Sequence, residues 1–212
     1  MGARIPAERR GHWEGVYASR GPSEVSWYQA RPAVSLDLIA ATGAGPDAGI
    51  IDVGGGASTL VDHLLDAGYR NLAVLDVAAG ALAACRARLG ARAEAVEWIV
   101  ADVTAWEPER TCDVWHDRAV FHFLTEAADR RAYVTTLRKA LAGRGHLIVA
   151  TFAPDGPPRC SGLPVVRYDA ASLGAELGEG FRLVETRREE HVTPAGTVQP
   201  FLYQRYVRSL GG

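Results

Sequence analysis

Between residues 50 and 152 the chain alternates short apolar runs with longer segments that are apolar on one side only. The runs are residues 50–53, 71–75, 96–100, 112–115 and 146–152, and each predicts a β-strand. Leu60, Val61, Leu64 and Leu65 make one helical face, and Leu82, Cys85 and Leu89 make a second. Tyr133, Val134, Leu137 and Leu141 make a third, with Thr125 as the expected cap and Gly143 and Gly145 closing the segment. Strand and helix in strict alternation predict an α/β fold, a doubly wound parallel sheet whose ligand sites lie at the carboxyl ends of the strands.

The two ends of the chain break this rhythm. Residues 154–167 are rich in Pro and Gly and predict a loop. Asp169 is placed to cap a helix reaching Leu177, and residues 181–191 and 198–207 read as two strands joined around Thr193-Pro194-Ala195-Gly196. A turn that short makes them antiparallel. At the other end Trp13, Tyr17, Trp27 and Tyr28 precede a short segment with Leu36, Leu38 and Ile39, which Ser35 is expected to cap. On bulk alone, these aromatics read as packing for a leading helix rather than a lid over a site.

Residues 49–59, GIIDVGGGAST, are where pattern turns into chemistry. Strand, three glycines and a helix start follow one another. Such a turn lets backbone approach a ligand and aims free helix N–H groups at it. Gly54 and Gly56 fit a dinucleotide fingerprint, but the third glycine position holds Thr59, and Asp52 precedes the turn. A carboxylate there disfavours a pyrophosphate and favours a cofactor bearing an ammonium and a sulfonium. Asp76, 24 positions beyond Asp52, suits the hydroxyls of a ribose. Asp102 suits the exocyclic amine of an adenine, with Val103 over the ring.

Composition narrows the remaining classes. The 212 residues suffice for one good core, and 23 basic residues against 25 acidic ones are spread out, so no nucleic-acid stripe forms. Cys85, Cys112 and Cys160 form no C-x-x-C pair, and no clustered metal ligands stand out, so no metal is expected. The first residues carry no apolar signal core and no apolar run nears about 20 residues, so a cytoplasmic protein without membrane contact is expected.

The runs IIDVGGGAS, VLDV with Asp76, VADV with Asp102, WHDRAVFHFL, and the closing hairpin resemble class I S-adenosylmethionine-dependent methyltransferases over residues 45–208. The resemblance implies a Rossmann-like sheet of seven strands in the order 3-2-1-4-5-7-6, the last antiparallel. It also implies S-adenosylmethionine as cofactor. Residues 1–44 would then be an N-terminal helical lid and residues 45–212 the cofactor-binding domain. The cofactor set by position is Asp52, Gly54, Gly55, Gly56, Ser58, Asp76, Val77, Asp102, Val103 and His116, with Trp27 and Tyr28 from the lid.

The segment Trp115-His116-Asp117-Arg118-Ala119 is similar to that of thiopurine and other thiol methyltransferases, which also carry an aromatic lead helix. It departs from them in the inserted His116 and in Ala119 for Gly. This likeness implies a small-molecule acceptor, leaning to a thiol, with His116, Asp117 and Arg118 as catalytic residues and Trp27 and Tyr28 in a lid. A sulfonium methyl is already activated, so alignment and exclusion of water are the main demands. His122, between Phe121 and Phe123, reads as a packing histidine, and Cys160 as a loop thiol at a pocket edge. His191 serves a turn or a pocket rim. The rival readings are a protein lysine N-methyltransferase and a non-catalytic protein that binds a nucleotide cofactor.

Overall fold

The computed structural model describes residues 7–209. Helix α1 (Ala7–Ser19) leads, followed by an irregular segment and α2 (Ala33–Ala40). The alternating part comprises β1 (Ile50–Val53), α3 (Leu60–Asp66), β2 (Leu72–Asp76), α4 (Ala79–Leu89), β3 (Val96–Val100), β4 (Cys112–Arg118), α5 (Ala127–Ala140) and β5 (Leu141–Phe152). A two-residue hairpin, β6 (Arg159–Cys160) and β7 (Leu163–Pro164), interrupts the Pro-rich loop. Then come α6 (Ala170–Leu177), β8 (Phe181–Val192) and β9 (Val198–Arg208). The main sheet runs β3-β2-β1-β4-β5-β9-β8. With the β6–β7 hairpin set aside this is the expected seven-strand order, and β9 runs antiparallel to both of its neighbours.

Alternation along the central strands fills both faces. Ile50, Val114 and Ile148 face a cluster with Leu38, Leu60 and Leu82 from α2, α3 and α4. Ile51, Trp115 and Leu147 face Tyr133, Leu137 and Leu173 from α5 and α6. Parallel strands covered on both faces read as continuous apolar runs, which is why they were legible. The capping box of α6 also follows the sequence, with Asp169 Oδ1 accepting from Ser172 N–H at 2.7 Å.

Four local expectations change. Helix α5 ends at Ala140, and Leu141 through Gly145 open β5 instead of closing the helix. Ser35 lies inside α2 and is fully buried, so it caps nothing. The residue before α5 is Glu126 rather than Thr125, without a side-chain cap. Most consequential, β4 continues three residues past Trp115, because β1 and β5 remain paired with it as far as Asp117 and Arg118. Among the described residues no helix is long and apolar enough to cross a membrane.

Candidate active site

The turn after β1 is held in a conformation that only glycine adopts freely. Gly54 and Gly56 have φ of 67° and 47°. A Cβ on Gly54 would collide with Val120, and one on Gly56 with the Tyr17 hydroxyl. Beneath the turn, Asp52 Oδ1 accepts from His116 Nδ1 at 2.7 Å, and Ser35 Oγ sits 2.9 Å from His116 Nε2. The carboxylate oxygen accepts from Nδ1–H, and Nε2 shares the second hydrogen bond with the Ser35 hydroxyl. Asp52 and His116 are directly opposite each other on adjacent parallel strands.

At the end of β2, Asp76 is buried and its Oδ1 accepts the Ala78 N–H at 2.8 Å. Burial pushes its carboxyl up to about 7; the Ala78 amide opposes this and Asp52 adds to it. At the end of β3, Asp102 Oδ1 accepts from Thr104 N–H and Oγ1–H at 2.9 and 2.7 Å, and Arg9 Nη1 donates to Oδ2 at 2.5 Å. The second nitrogen of Arg9 reaches Asp129 at 2.7 Å. Glu14 accepts from Ala79 N–H, at the first turn of α4, at 2.7 Å. These contacts lay α1 across the ends of β2 and β3. Trp13 then meets Trp27 and Phe123 edge to face at centroid distances of 5.7 and 5.0 Å. Tyr17 meets Trp27 at 6.1 Å.

The end of β4 divides its residues between the two sheet faces, since successive side chains of a strand point opposite ways. Asp117 turns toward α5, where it accepts from Tyr133 O–H at 2.6 Å, Val120 N–H at 2.9 Å and Phe121 N–H at 3.1 Å. Burial raises its carboxyl to about 6, against the lowering effect of the Tyr133 bond. Arg118 turns the other way. Ala119 follows at φ 71°, its N–H bonded to Ala150 O at 2.9 Å. A left-handed alanine is strained, so Ala119→Gly should stabilise the protein by about 1 kcal/mol, raising Tm by roughly 2–4 °C. Calorimetry of the two proteins checks this; an unchanged or lower Tm would mean the turn carries no strain.

Two cavities meet at this point. The larger encloses about 880 Å³, its open mouth included. Asp76, Val77, Asp102 and Val103 line one end, and Trp13, Phe123, Cys160 and Leu163 line the other. The smaller, about 520 Å³, runs behind the glycine turn past Tyr28, Ser35, Asp52, Gly55, Ser58 and His116. Gly54, Trp27 and Arg118 belong to both. Together they offer acids at two strand ends, a backbone cradle, and an apolar chamber under an aromatic cover.

Residues 50–145 match the methyltransferase domain family. The methyltransferase fold extends over nearly the whole chain. A methyltransferase from Anabaena variabilis, dependent on S-adenosylmethionine, superimposes with a TM-score of 0.75 at 13% identity, covering 98% of this chain and 97% of that one. The 1,6-didemethyltoxoflavin-N1-methyltransferase of Burkholderia thailandensis, solved with 1,6-didemethyltoxoflavin and S-adenosylhomocysteine bound, gives 0.73 at 20% identity, covering 99% and 93%. Nodulation protein S from Rhizobium tropici is 31% identical over 111 residues, 52% of this chain and 46% of that relative. The match thus spans about half the length of the curated relative.

The residues picked from sequence fall into three groups. Gly54, Asp76, Val77, Asp102, Val103 and Trp27 line the larger cavity. Asp52, Gly55, Ser58, Tyr28 and His116 line the smaller one, and Gly56 lies between Tyr17 and Asp76. Asp117 lines neither. The expected catalytic trio is split by the fold: Asp117 anchors the turn from the opposite face, both ring nitrogens of His116 are engaged by Asp52 and Ser35, and Arg118 lines both cavities.

His122 packs between Phe123 and Phe152, at centroid distances of 4.4 and 4.8 Å, and burial with Arg118 nearby lowers it to about 3. Burial pushes the Cys160 thiol up to about 11. His191 Nε2 donates to Ser26 O at 2.7 Å. Among the described residues no cluster of three potential metal ligands occurs. Arg9 and Glu14 are the contacts that sequence reasoning missed. Each pairs with residues 65 or more positions away, and no local pattern marks it.

Proposed function

We propose that the protein transfers a methyl group from S-adenosylmethionine to a small-molecule acceptor, a thiol or other soft nucleophile by preference. The observation that carries this reading is the continuity of one cleft from the acids Asp76 and Asp102, past Gly54 and Ala119, into the chamber of Trp13, Trp27, Phe123 and Leu163. In this reading Asp76 takes the ribose hydroxyls, Asp102 the adenine amine, and Val103 the ring face. Gly54 and Gly56 cradle the methionine part, whose ammonium is drawn to Asp52. The cofactor supplies a methyl already activated by its sulfonium.

The chain aligns the acceptor and excludes water, with residues 1–44 as the lid and residues 45–212 as the cofactor-binding domain. Two latches support the lid role, Arg9 on Asp102 and Glu14 on α4. A lysine methyltransferase is the weaker reading, because the one acid that sequence offered at the acceptor end, Asp117, is bonded on the far face. Three free cysteines are consistent with a reducing cytoplasm.

Ligand-induced stabilisation tests the cofactor. At 100 times its Kd, S-adenosylhomocysteine should raise stability by about 2.7 kcal/mol, or Tm by roughly 5–10 °C, and NAD and NADP should not. The reverse pattern would sink the reading. For the acceptor, homocysteine released after hydrolysis of the product reports turnover across thiols, phenols, carboxylates, amines and lysine peptides. Turnover on a peptide with none on any thiol would end the soft-nucleophile preference.

A further inference from the structure

The donor left over at the junction of the two cavities belongs to Arg118. Its guanidinium is held on three sides. Nε donates to Tyr203 Oη at 2.8 Å, Nη1 donates to Trp27 O at 2.9 Å, and Cζ lies 4.5 Å from the centre of the Phe201 ring. Nη2 is buried and has no hydrogen-bond partner. The nearest acid is Glu189, whose Oε2 lies 3.8 Å away, beyond hydrogen-bond reach. That carboxylate is already occupied, Oε2 by Tyr203 O–H at 2.9 Å and Oε1 by Gln29 Nε2 at 2.8 Å. The side chain is 10% exposed, and it lines both cavities. A buried N–H on a cation held this firmly is costly to leave unmade, so a ligand atom is its natural partner.

We propose that Arg118 Nη2 recognises an anionic group on the methyl acceptor, whose flat apolar body lies against Trp13, Trp27, Phe123 and Leu163. This rests on the methyltransferase reading above and gives its substrate class. The layout of charge favours it. The two cavity-lining acids of the larger cleft, Asp76 and Asp102, stand at the far end, and Asp102 is already paired with Arg9. At the acceptor end neither His122, buried among aromatic rings, nor Asp117, bonded on the other face, is free to act as a base. An ammonium acceptor would have to lose its proton there without help, next to a guanidinium.

An acceptor that arrives as an anion needs no base. When its anionic atom is the nucleophile, that atom's lone pair forms the bond to the methyl carbon, the carbon–sulfur electron pair leaves with sulfur, and no proton moves. Opposite charges are annihilated in the step, which an apolar, water-poor chamber favours. Arg118, placed beside the acceptor, also lowers the pKa of a thiol or phenol docked there.

The test uses the full chain saturated with S-adenosylhomocysteine, and calorimetric titration with benzoate, benzenethiolate, benzyl alcohol and benzylammonium. The anionic probes should bind at least tenfold more tightly than the neutral and cationic ones. Arg118→Met should remove that preference while S-adenosylhomocysteine affinity stays within about twofold. Arg118→Lys, which keeps charge without the fixed fork, should restore part of it. Bound S-adenosylhomocysteine in each variant serves as the folding control.

Three results would overturn the proposal. One is equal or tighter binding of benzylammonium by the wild type. Another is an unchanged preference in Arg118→Met. The third is a tenfold loss of S-adenosylhomocysteine affinity in that variant with 5′-methylthioadenosine affinity intact, which would assign Nη2 to the carboxylate of the cofactor. If S-adenosylhomocysteine fails to bind the wild type at all, the methyltransferase reading itself fails, and the two failures are thus distinct.

Discussion

Asp76→Asn should weaken S-adenosylhomocysteine binding by roughly two orders of magnitude and at the same time raise the stability of the unliganded protein. The loss follows from the chemistry of the ribose. Two hydroxyl donors to a buried carboxylate contribute about 1.5–3 kcal/mol each, and an amide offers one acceptor oxygen and a donor where the second oxygen stood. A loss of about 3 kcal/mol corresponds to roughly 150-fold in Kd.

The gain in stability follows from the cost of burial. The carboxyl of Asp76 is raised from 3.8 to about 7, mainly because the charged form is taken out of water. A folded-state pKa above the unfolded value means that the folded protein holds this proton more tightly. The contribution of Asp76 to stability is therefore fully present below about pH 4 and is lost as pH rises to about 7. Asparagine carries no such loss, so the variant should melt higher at pH 8 and by a smaller margin at pH 5. Cofactor binding has the opposite dependence. The ribose donors prefer the ionised form, so affinity should climb between pH 6 and 7 and level off above about pH 8 in the wild type, and stay flat in Asp76→Asn. Titration calorimetry across this range checks both. An unchanged Kd in the variant would place the ribose away from the end of β2.

Asp117→Ala should be the most damaging single change to stability, with little direct effect on any ligand contact. It strands the Tyr133 hydroxyl and the N–H groups of Val120 and Phe121, all of which now meet one buried carboxylate. Leaving each of these buried donors unmade costs about 1–3 kcal/mol, which together corresponds to roughly 10 °C in Tm. The turn from Ala119 to Phe123 loses its anchor as well, and that turn supplies Val120 against Gly54 and Phe123 against Trp13. Activity should fall because the protein unfolds and the turn loosens. At a temperature where the variant is folded, the pH profile of the remaining activity should match that of the wild type. A variant of unchanged Tm whose pH profile loses a limb near 6 would instead restore Asp117 to a proton-transfer role.

Much of this was legible along the chain. The central strands are covered on both faces and so read as unbroken apolar runs, and the helices between them keep one apolar side. The glycine turn was legible for a local reason: a tight strand-to-helix turn needs φ above zero at Gly54 and Gly56, and the chain carries glycine there. Asp52, Asp76 and Asp102 were legible because strand ends in such a sheet share one edge.

What the sequence by itself determined, then, is the alternation, the turn and the acids along that edge, all set by local periodicity and backbone sterics. Only the tertiary structure decided the rest. Where β4 ends depends on how far β1 and β5 stay paired with it, and the strand continues to Arg118. Once it does, a period of two sends His116 and Arg118 to one face and Asp117 to the other, which no count of spacings in WHDRA reveals. The closing of α1 over the cleft is likewise a meeting of Arg9 and Glu14 with residues far along the chain. Such long-range pairs leave no local trace, because they depend on where the fold brings two distant segments rather than on what either segment prefers alone.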